Sequence, residues 1–317
     1  MPLPNDLRVV ALANDLLQMF DKIFGLHPGY RAAHAKGVML TGIFVPTAEA
    51  KSLSNAAHFV RPSTPVTVRF SNSTGIPLIP DNAPEANPRG MAIRFSLADH
   101  VHTDIVSHST DAFPTRDGNE FLEFLKAVAA SGPDVPSPKP VETFVGTHPT
   151  ALAFVQIPKP FAVSFGKEAY YGVSAFQFTN ADGKISFGRY RIVPEGGTEY
   201  LTEAQVGGLS PTYHIDEIGA RVKNGPIRFK ILVQLAAEGD VNDDATVRWP
   251  ESRPLLELGV IELTSLVADN ATEQKHIIFD PIPRTEGIEP TADPLFELRA
   301  AIYLLSGRRR RAATLES

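Results

Sequence analysis

Apolar side chains recur along this chain in two rhythms. From Leu7 to Phe24, Val10, Leu12, Leu16, Leu17, Phe20, Ile23 and Phe24 return close to every 3.6 residues, which predicts an amphipathic helix closed by Gly25. The middle of the chain alternates instead. Residues 65–72 and 88–95 read as strands, the second entered through a glycine, and 42–47 reads as an extended segment. Residues 170–191 form the clearest hairpin, turning on Ala181-Asp182-Gly183. Residues 226–236 are another alternating strand, and 247–250 with 255–266 a last strand pair. Between these, 118–130 and 141–155 carry helical patterns, separated by the proline-rich loop 132–140. Helices at both ends around strand pairs predict an α+β fold with an antiparallel sheet. We expect one domain over 1–317, opening with a helical segment, 1–30.

The last helix carries candidate chemistry. Asp293 is placed to cap it, Pro294 suits its first turn and Gly307 offers a stop, giving a helix over 293–307 ahead of four arginines, Arg308 to Arg311. Arg299 and Tyr303 sit four apart and share a face. A guanidinium beside a phenol stabilises the phenolate and lowers its pKa, as a tyrosinate metal ligand requires. By itself the pair reads as a half-buried tyrosine that neighbours an arginine.

Composition narrows the choices. At 317 residues, 43% of them hydrophobic, the chain can bury a substantial core, and its net charge of −6 argues against nucleic acid as a main partner. With no cysteine, disulfides, thiolate catalysis, iron–sulfur clusters, cysteine-ligated haem and covalent c-type haem are excluded. The first residues form no signal peptide and no apolar run reaches membrane-spanning length, so a cytoplasmic protein without a membrane span is expected. The acidic stretch 240–244 lacks the alternation, central glycine and closing glutamate of a calcium loop and reads as a solvated turn.

Gly287-Ile288-Glu289-Pro290-Thr291-Ala292-Asp293, followed by Arg299 and Tyr303, resembles the haem catalase segment that ends in the Arg-x-x-x-Tyr ligand motif. Further segments resemble that family in unbroken order: His34-Ala35-Lys36-Gly37 with Arg31 ahead of it, Val68-Arg69-Phe70-Ser71, Pro88-Arg89-Gly90-Met91-Ala92, and the hairpin at 170–191. The resemblance implies a catalase-type antiparallel β-barrel core with flanking helices and haem b held between the barrel and the last helix. Tyr303 becomes the iron ligand with Arg299 beside it, and Arg31, Arg69 and Arg310 become partners of the haem carboxylates. Phe121 would stack on the haem face and Phe113 would be another pocket aromatic.

His34 becomes the distal acid and base, its ring fixed by Ser71. Peroxide must give up a proton at one oxygen and regain it at the other before its O–O bond breaks unevenly, and a neutral imidazole performs both transfers. Two positions depart from the family pattern. His108 stands where catalases carry an asparagine that donates a hydrogen bond to peroxide, and Ser174 stands where they carry a proximal-side histidine.

The chain has room only for the core of a full catalase and is similar to the small catalase-related peroxidases. That similarity implies reduction of hydrogen peroxide or organic hydroperoxides by a small organic donor, weak catalase activity, and a homodimer. A true catalase, a lipid hydroperoxide-rearranging enzyme and a haem-binding protein without turnover are the alternatives; sequence pattern alone also admits a lipocalin-like binding barrel.

Overall fold

The structure, a computed structural model, describes residues 2–313. Its strands are β1 (Gly37–Pro46), β2 (Thr64–Ser71), β3 (Gly90–Ala98), β4 (Val101–His108), β5 (Tyr170–Tyr171), β6 (Phe176–Thr179), β7 (Ile185–Pro194), β8 (Ile227–Leu235), β9 (Leu255–Leu266) and β10 (Ile288–Pro290). Its α-helices are α1 (Leu7–Phe24), α2 (Ala50–Leu53), α3 (Ala57–Val60), α4 (Gly118–Ala129), α5 (Pro140–Thr147), α6 (Pro149–Gln156), α7 (Glu203–Val206), α8 (Tyr213–Asn224), α9 (Asn270–His276) and α10 (Leu295–Ala312).

Eight strands close on themselves in the order β1-β2-β3-β4-β5-β7-β8-β9, with β9 back beside β1, and β6 and β10 extend the sheet from β7. Every pairing in this ring is antiparallel, so the expected α+β architecture with an antiparallel barrel and flanking helices is the one observed. Closure removes the edges an open sheet would leave. Alternation decides what faces inward: in β2, Val66, Val68 and Phe70 pack inside the barrel, leaving Thr67, Arg69 and Ser71 on its outer face.

The interior is filled. Phe70 lies 5.5 to 5.9 Å from Phe165, Tyr170 and Phe229 by ring centroid, and all four side chains are fully buried. A barrel packed with aromatic rings is a core and not a cup, which rules out the lipocalin-like arrangement. Ligand space must therefore lie outside the barrel wall.

Helices α1, α4 and α10 form a second layer, in which Leu16, Leu17, Phe20, Leu125, Leu295, Leu298 and Ala301 are buried together. Two glycines let this layer close. A Cβ on Gly118 would lie 2.2 Å from Leu298 Cδ2, and one on Gly307 would lie 2.3 Å from Ile278 Cδ1. Asp21 on α1 takes a bidentate pair from Arg309 on α10 at 2.7 and 2.8 Å.

Four sequence expectations change. Helix α10 runs through Gly307 to Ala312, because that glycine serves close packing and not termination. Residues 247–250 are loop, not strand: the Trp249 indole donates to the Val241 carbonyl at 2.8 Å and Pro250 has no amide to give a ladder. The helix expected over 141–155 breaks into α5 and α6 at His148-Pro149, where proline cannot continue the bonding. Residues 101–108, left outside any expected strand, form β4 and pair along their length with β3. The acidic stretch is tied up by arginines, with Asp240 on Arg253 and Asp243 and Asp244 on Arg116.

Because Gly307 has no room for a side chain, Gly307→Val should lower unfolding free energy by about 1–3 kcal/mol, as overpacked cores do. Gly146→Ala on α5, where nothing lies within 4 Å of the added carbon, should be neutral or raise it by up to about 1 kcal/mol. Urea unfolding of the two variants checks both signs.

Candidate active site

Ladder register assembles the barrel side of the site. Ser71 pairs with Gly90 and Gly90 with His108, so these residues lie in one row across β2, β3 and β4. One pleat away on the same face, Arg69 pairs with Ala92 and Ala92 with Val106. The small middle members leave a trough. Gly90 can be nothing larger, since a Cβ there would sit 2.6 Å from Ser71 Oγ and 2.9 Å from His34 Nδ1.

His34 lies over that trough on an unusual backbone. Its φ is +56°, a left-handed conformation that costs a non-glycine residue about 1–3 kcal/mol. Its surroundings hold it: its amide donates to the Ser73 carbonyl at 2.8 Å, and Arg69 donates to the carbonyls of His34 and Ala35 at 2.8 and 3.2 Å. The His34 Nδ1 and Ser71 Oγ are 3.2 Å apart. Burial, with Arg69, Arg31 and Arg299 nearby, pulls the His34 pKa down to about 4, so the ring is neutral at pH 7.

His108 also reaches the cavity, and its proton can be assigned. Its Nδ1 lies 2.7 Å from the Thr110 hydroxyl and 3.4 Å from the Thr110 backbone amide. An amide N–H can only donate, so Nδ1 accepts and the ring proton sits on Nε2. Burial, together with Arg299 and His34, lowers the His108 pKa to about 3. His108 is thus a neutral N–H donor beside a neutral imidazole.

Helix α10 supplies the other wall. Leu295, Arg299, Tyr303, Ser306 and Arg310 follow one another at three- and four-residue steps and all face the cavity. Asp293 accepts from the Leu295 amide at 2.9 Å, fixing the start of the helix, and Phe296 anchors it to the barrel 5.1 Å from Phe176. The Arg299 Nε donates to the Tyr303 Oη at 3.4 Å.

At one end, three guanidiniums converge. Arg31 donates to the carbonyls of Gln274 and Ile277, Arg310 to those of Lys275 and Ile277, and Arg69 to the Gln274 side-chain oxygen. All these partners are neutral. Burial, with Arg310 beside it, brings the Arg69 pKa down to about 9; burial, with Arg311 near, brings Arg310 to about 10; burial and both neighbours lower Arg31 well below the usual range. Such a cluster suits a ligand with two carboxylates.

These residues surround one cavity with about 1060 Å³ of empty space, part of it open to solvent. Arg31, His34, Arg69, Ser71, His108, Phe113, Arg299, Tyr303 and Arg310 all line it. Phe121 does not. It stands one ring back, 5.0 Å from Phe113 and 6.3 Å from Phe20, and Phe20 holds the place at the cavity. Sequence reading missed Phe20, Thr110 and Gln274. The rhythm of α1 contains Phe20 but cannot say which of its buried residues meets a ligand, and Gln274 lies on α9, a short helix without apolar periodicity.

A sequence profile described as Catalase matches residues 20–316. A catalase-related peroxidase of Mycolicibacterium paratuberculosis is 34% identical over 289 residues, covering 89% of each chain. One from Synechococcus elongatus is 30% identical over 94% of this chain and 88% of its own. The catalase of Mus musculus is 27% identical, and there the match covers 86% of this chain but 54% of the mouse protein. Among solved structures, a fungal catalase superposes with a TM-score of 0.79 at 22% identity and a bacterial catalase with 0.77 at 23%, and this chain spans 59% and 62% of their lengths. The chain belongs to the catalase family, a family of haem-dependent oxidoreductases acting on peroxide. Among its described residues, no helix is long and apolar enough to cross a membrane.

The neutral state of the two cavity histidines can be measured directly. Following imidazole signals by NMR, His34 should titrate near pH 4 and His108 near pH 3, against about 6.5 for a free ring. Because the unfolded chain binds these protons first, stability should fall as pH drops from about 6.5 toward 4. Midpoints near 6.5 for both rings would contradict the site as described.

Proposed function

We propose that this chain is a haem b peroxidase of the catalase-related kind, reducing hydrogen peroxide or an organic hydroperoxide with electrons from a small organic donor and releasing little oxygen. One observation carries the reading: a single cavity has His34, Ser71 and His108 on its barrel wall, Arg299 and Tyr303 on its helix wall, and three arginines at its end. Two relatives of nearly the same length, both named catalase-related peroxidases, support it over a full catalase. A cytoplasmic location and a homodimer belong to the same proposal.

Haem fits the residues present. The three arginines, hydrogen-bonded to neutral oxygens, would hold its two carboxylates, and Tyr303, whose oxygen accepts from the Arg299 N–H, would hold the iron. When bound, the haem would supply the metal centre at which the O–O bond breaks and pass on the donor's electrons. The chain's own groups do the rest. With its Nδ1 against the Ser71 hydroxyl, His34 would use Nε2 to take a proton from one peroxide oxygen and hand it to the other. His108 Nε2–H donates to peroxide where catalases use an amide, and Thr110 keeps that proton on the correct nitrogen. The aromatic and aliphatic lining, Phe20, Phe113 and Ile278 among it, limits water and strengthens these bonds.

Replacing His108 by leucine should slow peroxide consumption about 10²-fold or more, the usual effect of losing one preorganised donor. His108→Asn should retain most of the rate, since an amide also donates. Peroxide-dependent oxidation of a phenolic donor and oxygen evolution, followed on one haem-loaded sample, test the reading itself. Donor turnover should exceed oxygen release, and vigorous oxygen release without donor turnover would overturn it.

A further inference from the structure

Behind the arginines lies a second cavity. It shares Arg31 and Arg310 with the first, and Gln274 and Lys275 of α9 form its inner side. Among the described residues no aspartate or glutamate lines it, although acidic residues outnumber basic ones, 36 to 30, over the chain. Lys275 donates to the Ala313 carbonyl at 2.7 Å, and among the described residues no carboxylate pairs with it. Tyr30, Ile215 and Leu266 add apolar surface to the lining.

A haem held as described leaves this cavity positive. Arg31, Arg69 and Arg310 against two carboxylates leave one charge over, and Lys275 adds another. A cationic, partly apolar pocket that shares Arg31 and Arg310 with the first cavity selects for a guest with an aromatic body and a negative end.

We propose that this second cavity binds the reducing substrate, and that the substrate is a small aromatic acid, a phenol carrying a carboxylate. The carboxylate meets Lys275 and the exposed side of Arg31, and the ring rests on Tyr30 and Ile215. The proposal rests on the peroxidase reading and completes its balance: one hydrogen peroxide and two phenols give two waters and two phenoxyl radicals. The O–O bond and two phenolic O–H bonds break, peroxide gains two electrons and two protons, and each phenol loses one of each.

The test uses haem-loaded protein with 4-hydroxybenzoate and its uncharged counterpart 4-hydroxybenzamide. Binding is read without peroxide, by calorimetry and by broadening of the ligand's NMR lines near the ferric centre; oxidation is then read with peroxide. The benzoate should bind about tenfold more tightly than the amide. Lys275→Glu should remove that preference, in binding and in the KM for oxidation, while the haem absorption spectrum stays unchanged. Ala271→Trp, which fills the cavity from the exposed side of α9, should weaken both ligands. Charge-selective binding that Lys275→Glu abolishes, with no donor oxidised, upholds the site and counts against the peroxidase reading alone. Equal use of both donors, unaltered by either variant, overturns the site and leaves that reading standing.

Discussion

Like charges held together out of water govern this structure. Arg31, Arg69 and Arg310 converge where β2, α9 and α10 meet, and their partners are neutral carbonyl and amide oxygens. The depressed pKa values of all three mean that the folded chain holds those charges less readily than the unfolded chain would. A ligand carrying two negative charges would relieve that cost and couple binding to folding at this point. The same charges reach His34, helping to keep it neutral, and with it able to move a proton.

The barrel's part is to be rigid and full. Since aromatic side chains occupy its interior, the outer face of β2, β3 and β4 becomes a fixed wall, and ladder register sets the row Ser71, Gly90, His108 against it. Helix α10 brings the second wall, pressed close by Gly118 and Gly307. Each wall alone is ordinary. Their facing one another across a cavity sets His34, His108 and Tyr303 around one space.

Much of this is legible in the chain because it is local. The Arg299–Tyr303 pair follows from helical spacing, the hairpin at 170–191 from its turn residues, and the inward face of β2 from alternation. What is not local was missed or misplaced. Which aromatic ring faces the cavity depends on how α1 and α4 pack, and there Phe20 stands in front of Phe121. The proton position on His108 depends on Thr110, whose role emerges only once β4 ends and the backbone turns back on the ring. Gly307 looked like a helix stop and is a contact surface for Ile278; both uses call for the smallest side chain, and sequence alone does not separate them.

If the arginine cluster is built for a dicarboxylate, the charge of the ligand's acid groups must dominate its capture. The direct measurement is titration of the cofactor-free protein with haem and, in parallel, with haem dimethyl ester, followed by absorbance and by the thermal midpoint. The account predicts tight binding and a large rise in midpoint for haem, with affinity at least about 100-fold weaker for the ester, two lost charge-assisted contacts at about 1.5–3 kcal/mol each. Equal affinity for the two would contradict it.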